Sequence, residues 1–146
     1  MRVTQEADYA IRICCVLDAA GSRLGASEIA ERAGITQKFA LKILRKLSLD
    51  GFVKSFTGNK GGYELDRDAK EITIAEILEL IEGQISLSKC MDCEYECTRN
   101  PNKTNCKMHI SFCLLSRDVK EKLSKITVRM LTDPNVTTKD VATIIK

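Results

Sequence analysis

Apolar residues recur at helical spacing in four segments of the first 83 residues, and this spacing predicts four helices. The first runs from Thr4 to Ala20, and the second is a short helix over 27–33. Thr36 caps a third helix that reaches about Asp50, and the fourth covers 73–83. The predicted inward faces are Ala7, Ala10, Ile11, Cys14, Cys15 and Leu17; Ile29 and Ala30; Phe39, Ile43, Leu44 and Leu47; and Ile74, Ile77, Leu78 and Ile81.

A β-hairpin is predicted between the third and fourth helices. Residues 52–57 alternate and are rich in β-forming side chains, 58–62 carry a glycine-rich turn signal, and 63–65 return as a second strand. The second helix, the turn at Gly34 and the third helix form a helix-turn-helix pattern, and a hairpin directly after such a helix is a wing. The predicted fold class is therefore mainly α with a small β-hairpin wing: a winged helix-turn-helix plus a long C-terminal helix.

The last third of the chain predicts a loop followed by one long helix. Residues 84–105 lack helical periodicity, whereas a stripe of apolar residues predicts a helix from Cys106 to about Leu131. We expect a winged helix-turn-helix domain over 1–85, a cysteine-rich loop over 86–105, a dimerisation helix over 106–132 and a tail over 133–146 with a short helical turn near its end. The stripe consists of Phe112, Leu115, Val119, Leu123, Ile126 and Met130. Such a stripe needs a partner surface, and a second copy of the chain is preferred over the first helix.

The net charge of +3 in this chain of 146 residues conceals two opposed segments. Residues 36–60 hold six basic residues and one acidic residue, whereas 61–83 hold two basic and seven acidic residues. A basic segment on a helix-turn-helix and wing predicts binding to double-stranded DNA. We expect Thr36, Gln37, Lys38 and Lys42 to enter the major groove, Arg45, Lys46, Lys54 and Lys60 to hold phosphates, and Asn59 to reach the minor groove.

The number and positions of the cysteines indicate a second candidate site. The longest apolar run, 13–17, is far shorter than the roughly 20 residues that span a bilayer, and no signal-peptide stretch is visible, so we expect a cytoplasmic protein with reduced thiols. Five of the seven cysteines fall within 90–113, four of them in the constellation Cys90, Cys93, Cys97 and Cys106 beside the single histidine, His109. Cys14 and Cys15 are expected in the core, and Cys113 is either a spare thiol near the site or a packing residue, the second being preferred.

The spacing of this constellation leaves several sites open. Thiolates separated by two, three and eight intervening residues, with the histidine after two more, can converge on one metal centre. Zinc with mixed cysteine and histidine ligands fits, and so does an iron–sulfur cluster held by three thiolates and a fourth ligand, or by four thiolates. The remaining alternatives are a redox disulfide pair or unligated thiols. A metal or cluster is the preferred interpretation.

The chain resembles the Rrf family of bacterial winged-helix transcription regulators, with its IscR-like, NsrR-like and CymR-like members. The resemblance rests on residues 1–4 with Asp8-Tyr9-Ala10, on the helix-turn-helix, on the wing at 58–63, and on 106–109 and 125–127. It implies a homodimer joined through the C-terminal helix and a palindromic operator. It also implies that three cysteines of the loop, by position Cys90, Cys97 and Cys106, hold a 2Fe–2S or 4Fe–4S cluster.

The resemblance offers two fourth ligands: a histidine shortly after the third cysteine, here His109, or an aspartate in the first helix of the partner subunit, here Asp8. Cys93 departs from the family pattern, and it makes an all-cysteine site conceivable. The predicted function is a regulator, most simply a repressor, whose cluster reports iron–sulfur, redox or nitric oxide status by shifting the two recognition helices. A zinc or thiol-redox regulator, a ligand-sensing regulator without metal, and a thiol oxidoreductase are the alternatives; no catalytic triad or phosphate loop supports an enzyme.

Overall fold

A computed structural model describes residues 2–101 and 103–146, which form a helical domain with one hairpin. The helices are α1 (Gln5–Ala20), α2 (Ala26–Ala33), α3 (Gln37–Leu49), α4 (Ile74–Glu82), α5 (Lys107–Ser124), α6 (Val128–Thr132) and α7 (Thr138–Ile144). The strands are β1 (Val53–Phe56) and β2 (Gly62–Leu65). The predicted fold class is confirmed, and no helix within the described residues is long and apolar enough to cross a membrane.

Helices α1, α3 and α4 begin where local side-chain chemistry predicts. Thr4 and Thr36 each accept a hydrogen bond from a backbone N–H in the first turn of the helix that follows. Thr73 and Glu76 form a capping box at α4, and Gly21 ends α1 in the left-handed conformation. These four local signals therefore place α1, α3 and α4 within a residue or two of their predicted positions.

The core lies between α1, α3 and α4. Fully buried side chains from these helices meet the residues that precede α4 and begin α6: Ile13, Ile43, Leu44, Leu47, Ile72, Ile77, Leu78 and Val128. One sequence prediction about the inward faces is wrong. Phe39 is 46% exposed because its ring packs edge-on against Tyr9 at the surface, with ring centroids 6.0 Å apart. Ala40 takes the buried place beside it.

The single helix predicted over 106–131 is also wrong, because the chain breaks between α5 and α6. The Ile126 carbonyl accepts a hydrogen bond from the N–H of Ile74 at 2.9 Å, and the Val128 N–H donates to the Ile72 carbonyl at 2.9 Å. Thr127 then caps α6. These bonds replace helical ones, so the chain turns and buries Val128 while Leu115 of the predicted stripe stays 51% exposed.

Helix α6 is attached to α1 by an ion pair between a buried carboxylate and a partly exposed arginine. Asp18 is only 4% exposed in its side chain, and its carboxylate lies 2.8 Å from Arg129 and also accepts from the Thr132 hydroxyl. A buried carboxylate needs such partners, since desolvation without them is costly. The C-terminal segment is thereby fixed to the domain that carries α3 and the hairpin.

Candidate nucleic-acid interface and cysteine-lined cavity

Helix α3 turns a polar face to solvent. Its other side is anchored by Ile43, Leu44 and Leu47, which are fully buried. Gln37, Lys38 and Arg45 are exposed, and neither Lys38 nor Arg45 forms an ion pair within the described residues. The Thr36 hydroxyl accepts a hydrogen bond from the Phe39 N–H, so this side chain caps α3 in addition to its predicted contact with DNA.

Two of the lysines predicted to contact DNA form ion pairs with an acidic residue of the same chain. The carboxylate of Glu6, in the first turn of α1, lies 2.8 Å from Lys42 Nζ and 2.6 Å from Lys46 Nζ. These hydrogen bonds hold the pKa of the Glu6 carboxyl below its usual value, with the Lys42 bond the larger cause. Sequence reasoning missed Glu6, because an acidic residue in a first helical turn has a sufficient local explanation in the helix dipole.

The hairpin presents Lys54, Asn59 and Lys60 as exposed side chains, and its shape is held from outside by Arg23. The Arg23 guanidinium lies 3.2 Å from the centre of the Phe56 ring and donates to the Lys60 carbonyl at 2.9 Å. Sequence reasoning missed Arg23, since its partners lie more than thirty residues along the chain.

Backbone contact completes the attachment of the hairpin. Leu24 forms an antiparallel bridge with Tyr63 through two hydrogen bonds of 2.8 and 3.0 Å. Gly62 has φ +136°, and a Cβ there would stand 2.6 Å from the Leu24 carbonyl oxygen, so only glycine allows this close approach. Gly62, at the end of the glycine-rich turn, is thus required for the packing of the hairpin against Leu24 as well as for the turn.

Cys90, Cys97, Cys106 and His109 line one cavity of about 500 Å³. The cavity lies between the segment 88–106 and the start of α5, and the other lining residues include Lys89, Arg99, Lys103 and Lys107. All four side chains are half-buried. These four basic residues add positive charge to the lining of the cavity.

Hydrogen bonds already order two of these thiols. Cys90 Sγ lies 3.1 Å from the Ser88 hydroxyl and 3.4 Å from His109 Nδ1. Cys97 Sγ accepts from the backbone N–H of Asn100 at 3.4 Å. This bond, followed by that of the Arg99 N–H, lowers the pKa of the Cys97 thiol.

Cys113 is not part of the core, in contrast to the packing role predicted for it. Its sulfur lies 3.4 Å from Nε2 of His109, whose Nδ1 faces Cys90. Cys14 and Cys15 do belong with the core: Cys14 is fully buried, Cys15 is half-buried, and burial raises the pKa of both thiols, that of Cys15 to about 11.

The segment that carries Cys90 is tied to α5 by Ser116, the one polar residue among the buried positions of the described chain. Its hydroxyl oxygen accepts from the Leu87 N–H at 3.0 Å, and the hydroxyl donates to Met91 Sδ at 3.1 Å. Ser116 therefore fixes both ends of the turn that contains Cys90. A serine within a predicted amphipathic helix gives no sequence signal for this role.

Cys93 and Asp8 lie elsewhere. Cys93 is exposed and lines a neighbouring depression with Cys97 and Tyr95, whereas Asp8 pairs with Arg12 at 2.7 Å near the start of α1. Within the described residues, no three Cys, His, Asp or Glu side chains are close enough together to hold a single metal ion. The three thiols and the imidazole share a cavity without converging on one point.

Comparison with known proteins adds a family to this geometry. Residues 3–134 match the model of the Rrf2 family, described as iron-dependent transcriptional regulator. The chain is 33% identical over 99 residues to protein aau3 of Rhizobium meliloti (strain 1021), covering 66% of this chain and 64% of aau3. It is 28% identical over 142 residues to the HTH-type transcriptional regulator IscR of Vibrio parahaemolyticus, covering 93% and 80%.

The first relatives are matched over less than two thirds of their length: 64% for aau3 and 55% for the putative HTH-type transcriptional regulator Rv1287 of Mycobacterium tuberculosis. Among solved structures, CymR (YrzC), the global cysteine regulator of B. subtilis, superposes with a TM-score of 0.70 at 22% identity, covering 90% of this chain and 96% of CymR. T. potens IscR gives 0.68 at 22%, covering 91% and 88%. These structures establish the fold alone.

Proposed function

The chain belongs to the Rrf2 family of transcription regulators, and we propose that it is a cytoplasmic, homodimeric repressor whose DNA affinity depends on an iron–sulfur cluster. The observation that carries the proposal is the single cavity lined by Cys90, Cys97, Cys106 and His109. The relatives whose names state a function are transcription regulators, so a thiol oxidoreductase has no support.

The donor set of the cavity fits a cluster better than a single ion. Ligands of a cluster bind different iron atoms, so their sulfur atoms are spread more widely than those around one zinc ion. This agrees with a cavity of about 500 Å³. The description of the Rrf2 family as iron-dependent is further support.

Cys90, Cys97 and Cys106 are the proposed thiolate ligands, with His109 as the fourth. His109 is preferred over Asp8 because it lines the same cavity, and over Cys93 because Cys93 lines the neighbouring depression instead. When bound, a cluster would supply a redox-active group that can lose electrons to oxidants and react with nitric oxide. The chain's own part is to present three thiolates, and the Asn100 N–H already favours the charged form of Cys97.

The proposed DNA interface consists of α3 and the hairpin. Gln37 and Lys38 lie at the exposed start of α3, where side chains reach base edges in the major groove. Arg45, Lys54 and Lys60 are exposed cations for phosphates, and Asn59 lies at the hairpin turn, where it can reach the minor groove. A dimer would present two such interfaces to a palindromic operator.

The proposed dimer contact is the exposed side of α5. Met108 is 61% exposed, Leu114 46% and Leu115 51%, which is unusual for large apolar side chains on one helix. This side of α5 begins directly after Cys106 and runs beyond the cavity. Burial of these side chains against a second copy would place the two cysteine cavities next to the dimer contact.

Anaerobic purification with iron, sulfide and zinc analysis and visible absorption tests the proposal. The wild-type protein is expected to be coloured, with iron and acid-labile sulfide, and Cys106→Ser is expected to lose both. Cys93→Ser is the matched control, because it removes a thiol of the same segment that does not line the cavity. A colourless wild-type protein with stoichiometric zinc, or loss of colour in Cys93→Ser alone, would contradict this ligand assignment.

A further inference from the structure

The side chain of Glu6, in the first turn of α1, contacts α3, the helix proposed to read DNA. Both of its carboxylate oxygens form ion pairs there. One carboxylate oxygen contacts Lys42 Nζ at 2.8 Å and the other contacts Lys46 Nζ at 2.6 Å. Glu6 is the only acidic residue paired with α3 within the described chain. Two of the cations on this helix therefore share one fixed anion in the DNA-free protein, which offsets one of their two positive charges.

The pairing is accessible from solvent. The side chain of Lys42 is 54% exposed and that of Lys46 is 39% exposed, whereas Glu6 is only 26% exposed. The carboxylate thus approaches the ammonium groups from the protein side and leaves their outer side open. A DNA phosphate would meet the same two ammonium groups from outside, in competition with Glu6 for charge-assisted hydrogen bonds.

We infer that Glu6 is an internal competitor of DNA phosphate, which lowers the affinity of the regulator for any duplex. This inference rests on the proposed placement of α3 against DNA. When both Lys42 and Lys46 move to phosphates, the Glu6 carboxylate loses its two partners and takes up a cation from solution. That uptake offsets part of the counterion release that drives protein–DNA association.

The expected size of the effect follows from one charge. Removal of the carboxylate eliminates the uptake of about one cation, so the slope of log K against log salt steepens by about 0.9. If the affinities of variant and wild type are equal at 1 M salt, this slope makes the variant bind about eightfold more tightly at 0.1 M salt. Stability should change little, because partly exposed ion pairs contribute little to it.

The experiment is a salt series of fluorescence anisotropy titrations with the full-length, reduced, metal-free protein and a labelled 30-base-pair duplex of arbitrary sequence. Glu6→Gln is expected to bind more tightly than wild type, with the steeper slope. Glu6→Asp keeps the charge and should stay near the wild-type slope. Glu121→Gln is the control, since it removes an equal charge from α5, where Glu121 pairs with Lys125.

An unchanged slope for Glu6→Gln, or weaker binding, would overturn the inference, because Glu6 would then only orient the lysines. Arg45→Ala separates this failure from failure of the proposed interface. If Arg45→Ala weakens binding and flattens the slope while Glu6→Gln does neither, α3 contacts DNA and Glu6 is no competitor. If neither variant differs from wild type, the placement of α3 itself is wrong.

Discussion

Replacement of Ser116 by alanine tests whether the turn that carries Cys90 is held by α5. The hydroxyl of Ser116 accepts from the Leu87 N–H at 3.0 Å and donates to Met91 Sδ at 3.1 Å, and the residue is 1% exposed. Alanine removes both bonds without adding bulk. The Leu87 N–H is then left without its partner in a place that water reaches poorly.

The expected cost follows from that unpaired donor. A buried N–H that loses its partner costs about 1–3 kcal/mol, and we take about 2 kcal/mol. Alanine regains about 0.5 kcal/mol through its higher helix propensity. The net loss is then about 1.5 kcal/mol, which for a chain of this length corresponds to a fall in melting temperature of about 3–6 °C.

Ser111→Ala is the matched control, because Ser111 lies on the same helix and is exposed. It carries the same propensity gain and loses no buried bond, so the difference between the two variants isolates the Ser116 contacts. The assay is urea and thermal unfolding of the reduced, metal-free protein, followed by iron content after anaerobic reconstitution. Equal stability of Ser116→Ala and Ser111→Ala would refute the role of Ser116, and we expect reduced iron retention only in Ser116→Ala.

Two further predictions concern the hairpin and the buried thiols. Arg23→Ala should weaken binding to a duplex without changing the slope of log K against log salt, because Arg23 contacts the Lys60 carbonyl and the Phe56 ring and not a phosphate. A slope that flattens by about 0.9 in the anisotropy series would mean that Arg23 itself binds phosphate. At pH 8, iodoacetamide should modify the exposed Cys93 and leave Cys15 intact, since burial raises the pKa of Cys15 to about 11 and little thiolate forms until the pH approaches that value. Peptide mass spectrometry measures this, and alkylation of Cys15 at the rate of Cys93 would contradict it.

The sequence predicts those elements whose signals are local. Thr4, Thr36 and Thr73 lie next to the helices they cap, and the glycine-rich turn lies between the two strands it joins, so each element can be recognised within a few residues. The break before Val128 could not be predicted in this way. It depends on hydrogen bonds to Ile72 and Ile74, more than fifty residues earlier.

The candidate sites show the same division. Cysteine spacing indicates a metal or cluster site, but it does not distinguish Cys93 from Cys97, since only the fold decides which thiols line the cavity. Likewise, charge counting identifies Lys42 and Lys46 as cations for DNA without showing that both contact Glu6. Contacts between segments distant in the sequence determine which thiols line the cavity and which lysines are paired. The pattern of apolar and polar residues along one helix carries no information about such contacts.

The central claim is that the state of the cysteine cavity controls DNA binding by α3 and the hairpin. The most direct test selects a duplex from a random-sequence pool with the anaerobic iron-loaded protein and, separately, with the metal-free protein. The affinity of both forms for each selected duplex is then measured in the same buffer and salt. The account predicts that the two forms differ at least tenfold on one selected duplex in the wild type, and that Cys106→Ser behaves as the metal-free form under both conditions. Equal affinities of iron-loaded and metal-free wild-type protein for every selected duplex would contradict it.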